Sequence, residues 1–287
     1  MRFEYYEPST IQEAIALLSE KEAVKLMAGG TDLLVGMKMQ KYSYGSVVAL
    51  TKIPDLSSVL YDESQGLLRI GALATHNDIL ASQDVQTKYL ALAEACLLVG
   101  SRQVRNLGTV VGNICNASPS AETAGPLLVY DARMSIVGPS GQRIVPLRDF
   151  FEGPGKTVLA ANEIATELQV PNPEPNSGAA YLKLSPRRAM DLAVVGVAVY
   201  VALKNGVCAR ARIALGAVAP IPMRAPKAEA ILMGQPLTDE LIASAAQWAS
   251  EESRPITDIR GSAWYRREMV GVLVRRAAKL ALDRAGR

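Results

Sequence analysis

A glycine pair separates an apolar run from a candidate helix in KLMAGGTDLLVGM, Lys25–Met37. Lys25–Ala28 reads as a short buried strand and Gly29-Gly30 as the break that ends it. Thr31 reads as the N-cap of a helix carrying Leu33, Leu34, Met37 and Met39. A chain running from strand through glycine into a helix N-terminus gathers unpaired N–H groups at one point. Residues without a Cβ let a ligand approach that backbone, and the helix dipole favours an anion there. The chemistry is that of a phosphate or pyrophosphate cradle. An ordinary tight turn reads the same way, so this stretch alone leaves both possibilities open.

A second candidate is Gly100–Glu122, GSRQVRNLGTVVGNICNASPSAE, with Gly108, Gly112, two asparagines close behind, Ser118 and Ser120, and Thr123 just beyond. It has little periodic apolar pattern and is expected to be a loop. Long loops of this kind are functional or disordered, and disorder would leave Val110, Val111 and Ile114 in water. Ordered Gly, Asn, Ser and Thr supply neutral hydrogen-bonding groups and little charge. These suit a diphosphate, a ribose or ribityl chain, or the polar edge of a flat heterocycle. A solvent-facing Ω-loop is the alternative.

Other chemistry has few residues to work with. Cys96, Cys115 and Cys208 lie far apart with no C-x-x-C, which supports neither a zinc site nor an iron–sulfur cluster in this chain. Buried free thiols in a reducing compartment are expected. His76 is the single histidine, so no multi-histidine metal site can form. It is expected to be a hydrogen-bonded structural residue.

The elements that must position these loops follow in order. Ser9 and Thr10 with Gln12 and Glu13 have capping-box spacing ahead of an apolar face at Ile11, Ala14, Ile15, Leu17 and Leu18. Ser46–Thr51 and the segment from Leu67 read as strands, with a helix beginning at Asn77 or Asp78 and another over Tyr89–Val99. Arg133–Val145 reads as a hairpin turning at Pro139-Ser140-Gly141, and Glu167–Val170 as a strand. Pro171–Gly178, PNPEPNSG, is the clearest boundary. Beyond it, Leu192–Leu203 and Ala209–Val218 read as antiparallel strands joined at Asn205-Gly206. Helices over Ala225–Met233, Thr238–Glu251 and Ala263–Arg284 follow. The last carries Arg266, Arg267, Arg275, Arg276, Lys279 and Arg284, expected to form a solvated or subunit-facing side.

At 287 residues, with 49% hydrophobic and 21% charged residues, the chain is globular and long enough for a sizeable core. A net charge of +3 is too small to argue for nucleic acid or an anionic membrane. MRFEYYEPST has no secretory pattern, and the longest apolar runs are too short or too charged to span a bilayer. A soluble cytoplasmic protein is the expectation.

Five spaced motifs together resemble a known family over essentially the whole chain. They are AGGTDLL at Ala28–Leu34, IGALATH at Ile70–His76, RNLGTVVGNICNASPSAE at Arg105–Glu122, KLSPRRAMDLA at Lys183–Ala193 and the terminal RGSAWYRREMVGVLVRRA. The family is the FAD-binding medium subunit of molybdenum hydroxylases, the xanthine dehydrogenase and carbon monoxide dehydrogenase type. The resemblance implies an α+β chain. Two FAD-binding subdomains, a small β/α unit over residues 1–57 and a mixed or antiparallel sheet with helices over 58–175, would precede a C-terminal domain of antiparallel strands and helices over 176–287.

The resemblance also implies site residues. Leu26, Met27, Ala28, Gly29, Gly30, Thr31, Asp32 and Leu33 form a first FAD loop holding the diphosphate. Thr109, Val110, Val111, Gly112 and Asn113 match the second loop, T-x-G-G-N. Val99 falls beside the isoalloxazine, Glu122 at an acidic position on the adenosine side, and Ala165 and Lys183 at further flavin contacts. A lysine at the flavin N1–C2=O edge would stabilise the anionic reduced form. Arg187 and Asp191 share its K-x-x-x-R-x-x-x-D spacing and would pair. Val111 replaces a usual glycine. Its β-branched side chain restricts the backbone, so it is expected to face away from the cofactor. Non-covalent FAD is implied, with molybdopterin and two [2Fe–2S] clusters confined to a large and a small partner chain, and NAD⁺ or a quinone as acceptor. A stand-alone flavin oxidase and a non-catalytic nucleotide-binding protein are the competing functions.

Overall fold

The computed structural model describes residues 2–187 and 189–286; Arg188 of the KLSPRRAMDLA motif lies outside them. The first unit is β1 (Glu4–Tyr6), α1 (Ile11–Glu20), β2 (Val24–Met27), α2 (Leu33–Lys38) and β3 (Ser46–Ala49). Its three strands are parallel in the order β1-β3-β2. α1 begins where the sequence places it: Thr10 Oγ1 accepts from the Glu13 N–H, and Glu13 Oε2 accepts from the Ser9 N–H and hydroxyl. β2 is half-buried, not buried, because it lies at the sheet edge.

The second unit contains β4 (Val59–Asp62), β5 (Leu67–Gly71), α3 (His76–Ala81), α4 (Gln83–Lys88), α5 (Leu90–Leu97), α6 (Arg102–Arg105), α7 (Val110–Cys115) and α8 (Ala124–Val129). It continues through β6 (Arg133–Gly138), β7 (Gly141–Pro146), β8 (Phe151–Gly153), β9 (Lys156–Thr157) and β10 (Ile164–Pro171). An antiparallel sheet runs β4-β5-β10-β6-β7, and β8-β9 pair apart. Two expectations are corrected here. α3 begins at His76, because Thr75 and Asp78 form a reciprocal capping box. Gly100–Glu122 is not an aperiodic loop: it holds α6 and α7, capped by Ser101 and Thr109, with Val110, Val111 and Ile114 in the core.

The third unit is β11 (Ser177–Leu184), β12 (Val195–Lys204), β13 (Val207–Gly216), β14 (Met223–Arg224), α9 (Pro226–Leu232), α10 (Asp239–Glu252) and α11 (Ala263–Ala285). Its strands are antiparallel in sequential order, with β12 and β13 joined at Asn205-Gly206, both at positive φ. β11 was not read from the sequence; it begins inside the proline-rich boundary stretch. Along β12, Val195, Val197, Val199 and Val201 face the core under α9–α11, while Ala198, Tyr200 and Ala202 join the core beneath α5 and α8. A strand buried on both faces loses its polar alternation, which is why it reads as one apolar run. Each of those valines contributes about 1.5–3 kcal/mol relative to exposure.

Candidate functional site

The two glycine-bearing segments lie against one another. A Cβ on Gly29 would overlap the Leu107 carbonyl and come within 3.1 Å of the Gly108 nitrogen. Gly29 is therefore bare so that backbone can meet backbone, not to leave room for a ligand. Gly30 follows at φ +69, a left-handed turn that an L side chain rarely adopts. Through this turn the N–H groups of Gly29, Gly30, Thr31, Asp32 and Leu33 find no backbone acceptor among the described residues. Thr31 does not cap α2. Asp32 occupies the cap position without a side-chain bond, and the Thr31 hydroxyl faces Gly108, 3.3 Å from where a Cβ there would sit. Leu26, Met27 and Ala28 line the approach half-buried.

The second segment is held by the motif at Ile70–His76. Thr75 and Thr109 form a single antiparallel bridge: the His76 N–H donates to Gly108 O and the Val110 N–H to Ala74 O, each at 3.1 Å. Thr109 Oγ1 accepts from the Gly112 N–H at 3.0 Å, and Asn113 Oδ1 accepts from the Thr123 hydroxyl at 2.6 Å. Val110 and Val111 are in the apolar core, while Gly112 and Asn113 are half-buried. His76 is buried, yet its Nδ1 has no partner among the described residues. It is anchored through its backbone rather than the expected side-chain hydrogen bond. Burial, with a smaller push from the Arg105 guanidinium, lowers the imidazole to about 4, so it is neutral at pH 7.

Lys183, on β11, closes the cluster. Its Nζ donates to Glu122 Oε1 (2.7 Å), Asp191 O (2.6 Å) and Leu98 O (3.3 Å), so all three ammonium protons are used. Both side chains of the ion pair are nearly inaccessible, 5% and 7% exposed. Sequence resemblance assigns Lys183 to the flavin edge and Glu122 to the adenosine side. The structure brings these two residues into contact with each other. The bond to Leu98 O places both beside Val99. Val99 is buried, with its carbonyl accepting from Arg105 Nη1 at 3.0 Å. Ala165 is buried in β10, the strand against which α7 packs. Arg187 and Asp191 pair as the spacing implies, Nε to Oδ2 at 3.3 Å. The carbonyls of Leu98, Leu107 and Asp191 escaped the sequence reading, because any residue supplies one; only the IGALATH motif marked the support beneath the second loop.

A run of free N–H groups with adjacent hydroxyl and amide side chains makes a donor set that fits a flavin dinucleotide. Residues 1–173, more than half of the chain, match the family described as the FAD binding domain in molybdopterin dehydrogenase. The chain belongs to that family. Residues 180–281 match the CO dehydrogenase flavoprotein C-terminal domain. The chain is 36% identical to the carbon monoxide dehydrogenase medium chain of Hydrogenophaga pseudoflava over 284 residues, covering 99% of this chain and 98% of that one. It is 32% identical to the xanthine dehydrogenase FAD-binding subunit of Escherichia coli O157:H7 over 283 residues, 98% and 97% of the two chains. The solved carbon monoxide dehydrogenase from Hydrogenophaga pseudoflava, in a form lacking the Mo-pyranopterin moiety, superposes with a TM-score of 0.95, again over 99% and 98%.

This FAD-binding chain is thus an oxidoreductase subunit of the molybdenum hydroxylase type. No helix among the described residues is long and apolar enough to cross a membrane.

Proposed function

We propose that this chain carries non-covalent FAD and passes electrons from the [2Fe–2S] clusters of a small partner chain to an external acceptor, NAD⁺ or a quinone. Molybdopterin and the substrate step belong to a large partner chain. The observation that carries the reading is the packing of Gly29 on Leu107–Gly108, which sets two loops side by side as one cradle. Residues 1–57 supply the first loop, 58–175 the second, and 176–287 the wall bearing Lys183. FAD held here would supply a centre able to exchange both single electrons and electron pairs.

The chain's own residues bind and orient. The free N–H groups from Gly29 to Leu33 receive the diphosphate, with Thr31 at the seam between the loops. Thr109 and Asn113 offer the second set of polar side chains beside the bare backbone of Gly112, while Val110 and Val111 fasten that loop to the core. Val99 and Ala165 wall the ring system, and Lys183 holds a positive charge at its edge with Glu122 beside it. Both members of the pair therefore act at the flavin end.

The deciding experiment is a visible spectrum of the purified complex before and after acid precipitation. Flavin bands that pass into the supernatant support non-covalent FAD. Anaerobic addition of the molybdenum chain's substrate should then bleach those bands only when the iron–sulfur chain is present. A colourless chain, or one that turns over a small substrate alone, would overturn the reading.

A further inference from the structure

β11 is an edge strand: β12 pairs with one side of it, and no strand among the described residues lies on the other. An open edge carries N–H and C=O groups that something else must meet. Here an ion pair meets them. Glu94, the only charged residue of α5, accepts from the Tyr181 N–H through Oε2 at 2.9 Å. Arg284, in the last turn of α11, donates through Nη1 to Ala179 O and, at 3.2 Å, to Glu94 Oε2, and through Nη2 to Glu94 Oε1. One carboxylate and one guanidinium thus offer the acceptor and the donor that a neighbouring strand would have supplied.

The seat of α11 on β11 is fixed independently. A Cβ on Gly178 would fall 2.1 Å from Ala281 O and 2.6 Å from Ala285 N, so strand and helix meet backbone to backbone one residue before Ala179. Beyond Tyr181 the strand reaches Lys183, whose Nζ donates to Leu98 O. Those two strand residues advance about 6.6 Å, and the four helix residues from Glu94 to Leu98 advance about 6 Å. α5 and β11 are therefore joined by two rungs of matched spacing, Glu94 to Tyr181 and Leu98 to Lys183. The first rung is closed by an arginine of the last helix. The second carries the buried pair with Glu122.

We infer that Glu94 and Arg284 are positioning residues for the flavin wall: by closing the edge of β11 they set the register that delivers the Lys183 ammonium to Leu98 and Glu122. The inference rests on the function proposed above, in which Lys183 and Val99 stand at the flavin ring. With side chains 23% and 28% exposed, the pair is partly screened, and such pairs add little stability through charge alone. Its worth lies in the two backbone groups that it satisfies. Both residues act through β11, so removing either should have the same consequence at the flavin. Direct electrostatics predicts opposite consequences, because the two side chains carry opposite charges.

The test is potentiometric titration of the flavin in the purified complex. Wild type is compared with Glu94→Ala, Arg284→Ala, Glu94→Gln, the reversed double variant Glu94→Arg/Arg284→Glu, and Lys279→Ala, which breaks an exposed ion pair of the same helix. Both alanine variants and the reversed variant should lower the midpoint potential, because the Lys183 cation is held less closely to the ring. Amide exchange of the peptide spanning Tyr181–Lys183 should quicken roughly tenfold in the same three. Glu94→Gln keeps an acceptor for the Tyr181 N–H and should stay near wild type, as should Lys279→Ala. The reversed variant keeps an ion pair but sets donor against N–H and acceptor against C=O, so wild-type behaviour there would overturn the inference. Shifts of opposite sign in the two alanine variants would also overturn it, as would unmoved potentials in both. Where the alanine variants retain no flavin, full flavin in Glu94→Gln with loss in the reversed variant supports the inference, and any other pattern overturns it. A wild-type complex without flavin would instead remove the proposed function and take this inference with it.

Discussion

Lys183 and Glu122, 61 residues apart in the chain, meet at 2.7 Å with both side chains almost wholly removed from water. Removing one partner of such a pair strands a buried charge and costs about 3–5 kcal/mol. Lys183→Met and Glu122→Gln should each lower stability to urea on that scale, and the double variant should recover part of the loss. The flavin midpoint potential separates their roles. Lys183→Met should lower it, because the anionic reduced form loses a cation, whereas Glu122→Gln should raise it by leaving that cation unopposed. Potentiometric titration reads both signs; shifts in the same direction would exclude an electrostatic role for the pair.

Gly29→Ala tests the seam between the loops. Its Cβ would meet the Leu107 carbonyl, a backbone group that cannot rotate away. Overpacking of this kind costs about 1–3 kcal/mol, and the loops must part to absorb it. The variant should lose flavin in gel filtration. Gly153→Ala, where a Cβ meets nothing within 4 Å, should retain it. Equal flavin content in the two would show that contact between the loops is not needed for binding.

Much of this fold was legible because its signals are local. Thr10 and Thr238 cap helices at their own chain positions, and Asn205-Gly206 makes its hairpin without outside help. What was missed depends on distant partners. α6 and α7 have 4 and 6 residues, too short to show a helical period. Arg266 and Arg284 read as surface charges on a long helix, but the first is buried on Asp258 and Ala217, and the second is paired with Glu94 across the chain. The glycines of both loops were recognised from their spacing. The reason for Gly29 was not, since the carbonyl it accommodates lies in another element.

His76 should give the chain an acid-labile step. Its imidazole sits at about 4 in the folded protein, chiefly through burial and secondarily through Arg105, against an ordinary value of 6.5. Between those values the unfolded chain binds a proton that the folded chain excludes, so stability rises with pH across the window. The contribution is complete above pH 6.5, and about 3 kcal/mol is lost as the pH falls through 4. Urea unfolding from pH 4 to 7 should show this slope in wild type and a flatter one in His76→Gln. Identical slopes would place the acid-sensitive group elsewhere.

The thiols report on the second loop. Burial pushes Cys115 up to about 12 and Cys208 to about 11, and raises Cys96 further still. At pH 8 almost none of the reactive thiolate is present, so the native chain should react slowly with a disulfide reagent and yield three equivalents once unfolded. Labelling of the folded protein therefore proceeds through local opening. Cys115 ends α7, whose first turn is the Thr109–Asn113 segment, while Cys208 lies in β13 of the third unit. Saturating FAD stabilises only conformations that bind it, so it should slow labelling of Cys115 much more than that of Cys208 if α7 carries half of the cradle. Mass spectrometry of the labelled peptides distinguishes the two sites. Equal protection would mean that flavin binding tightens the whole chain, and no protection of Cys115 would remove the second loop from the site.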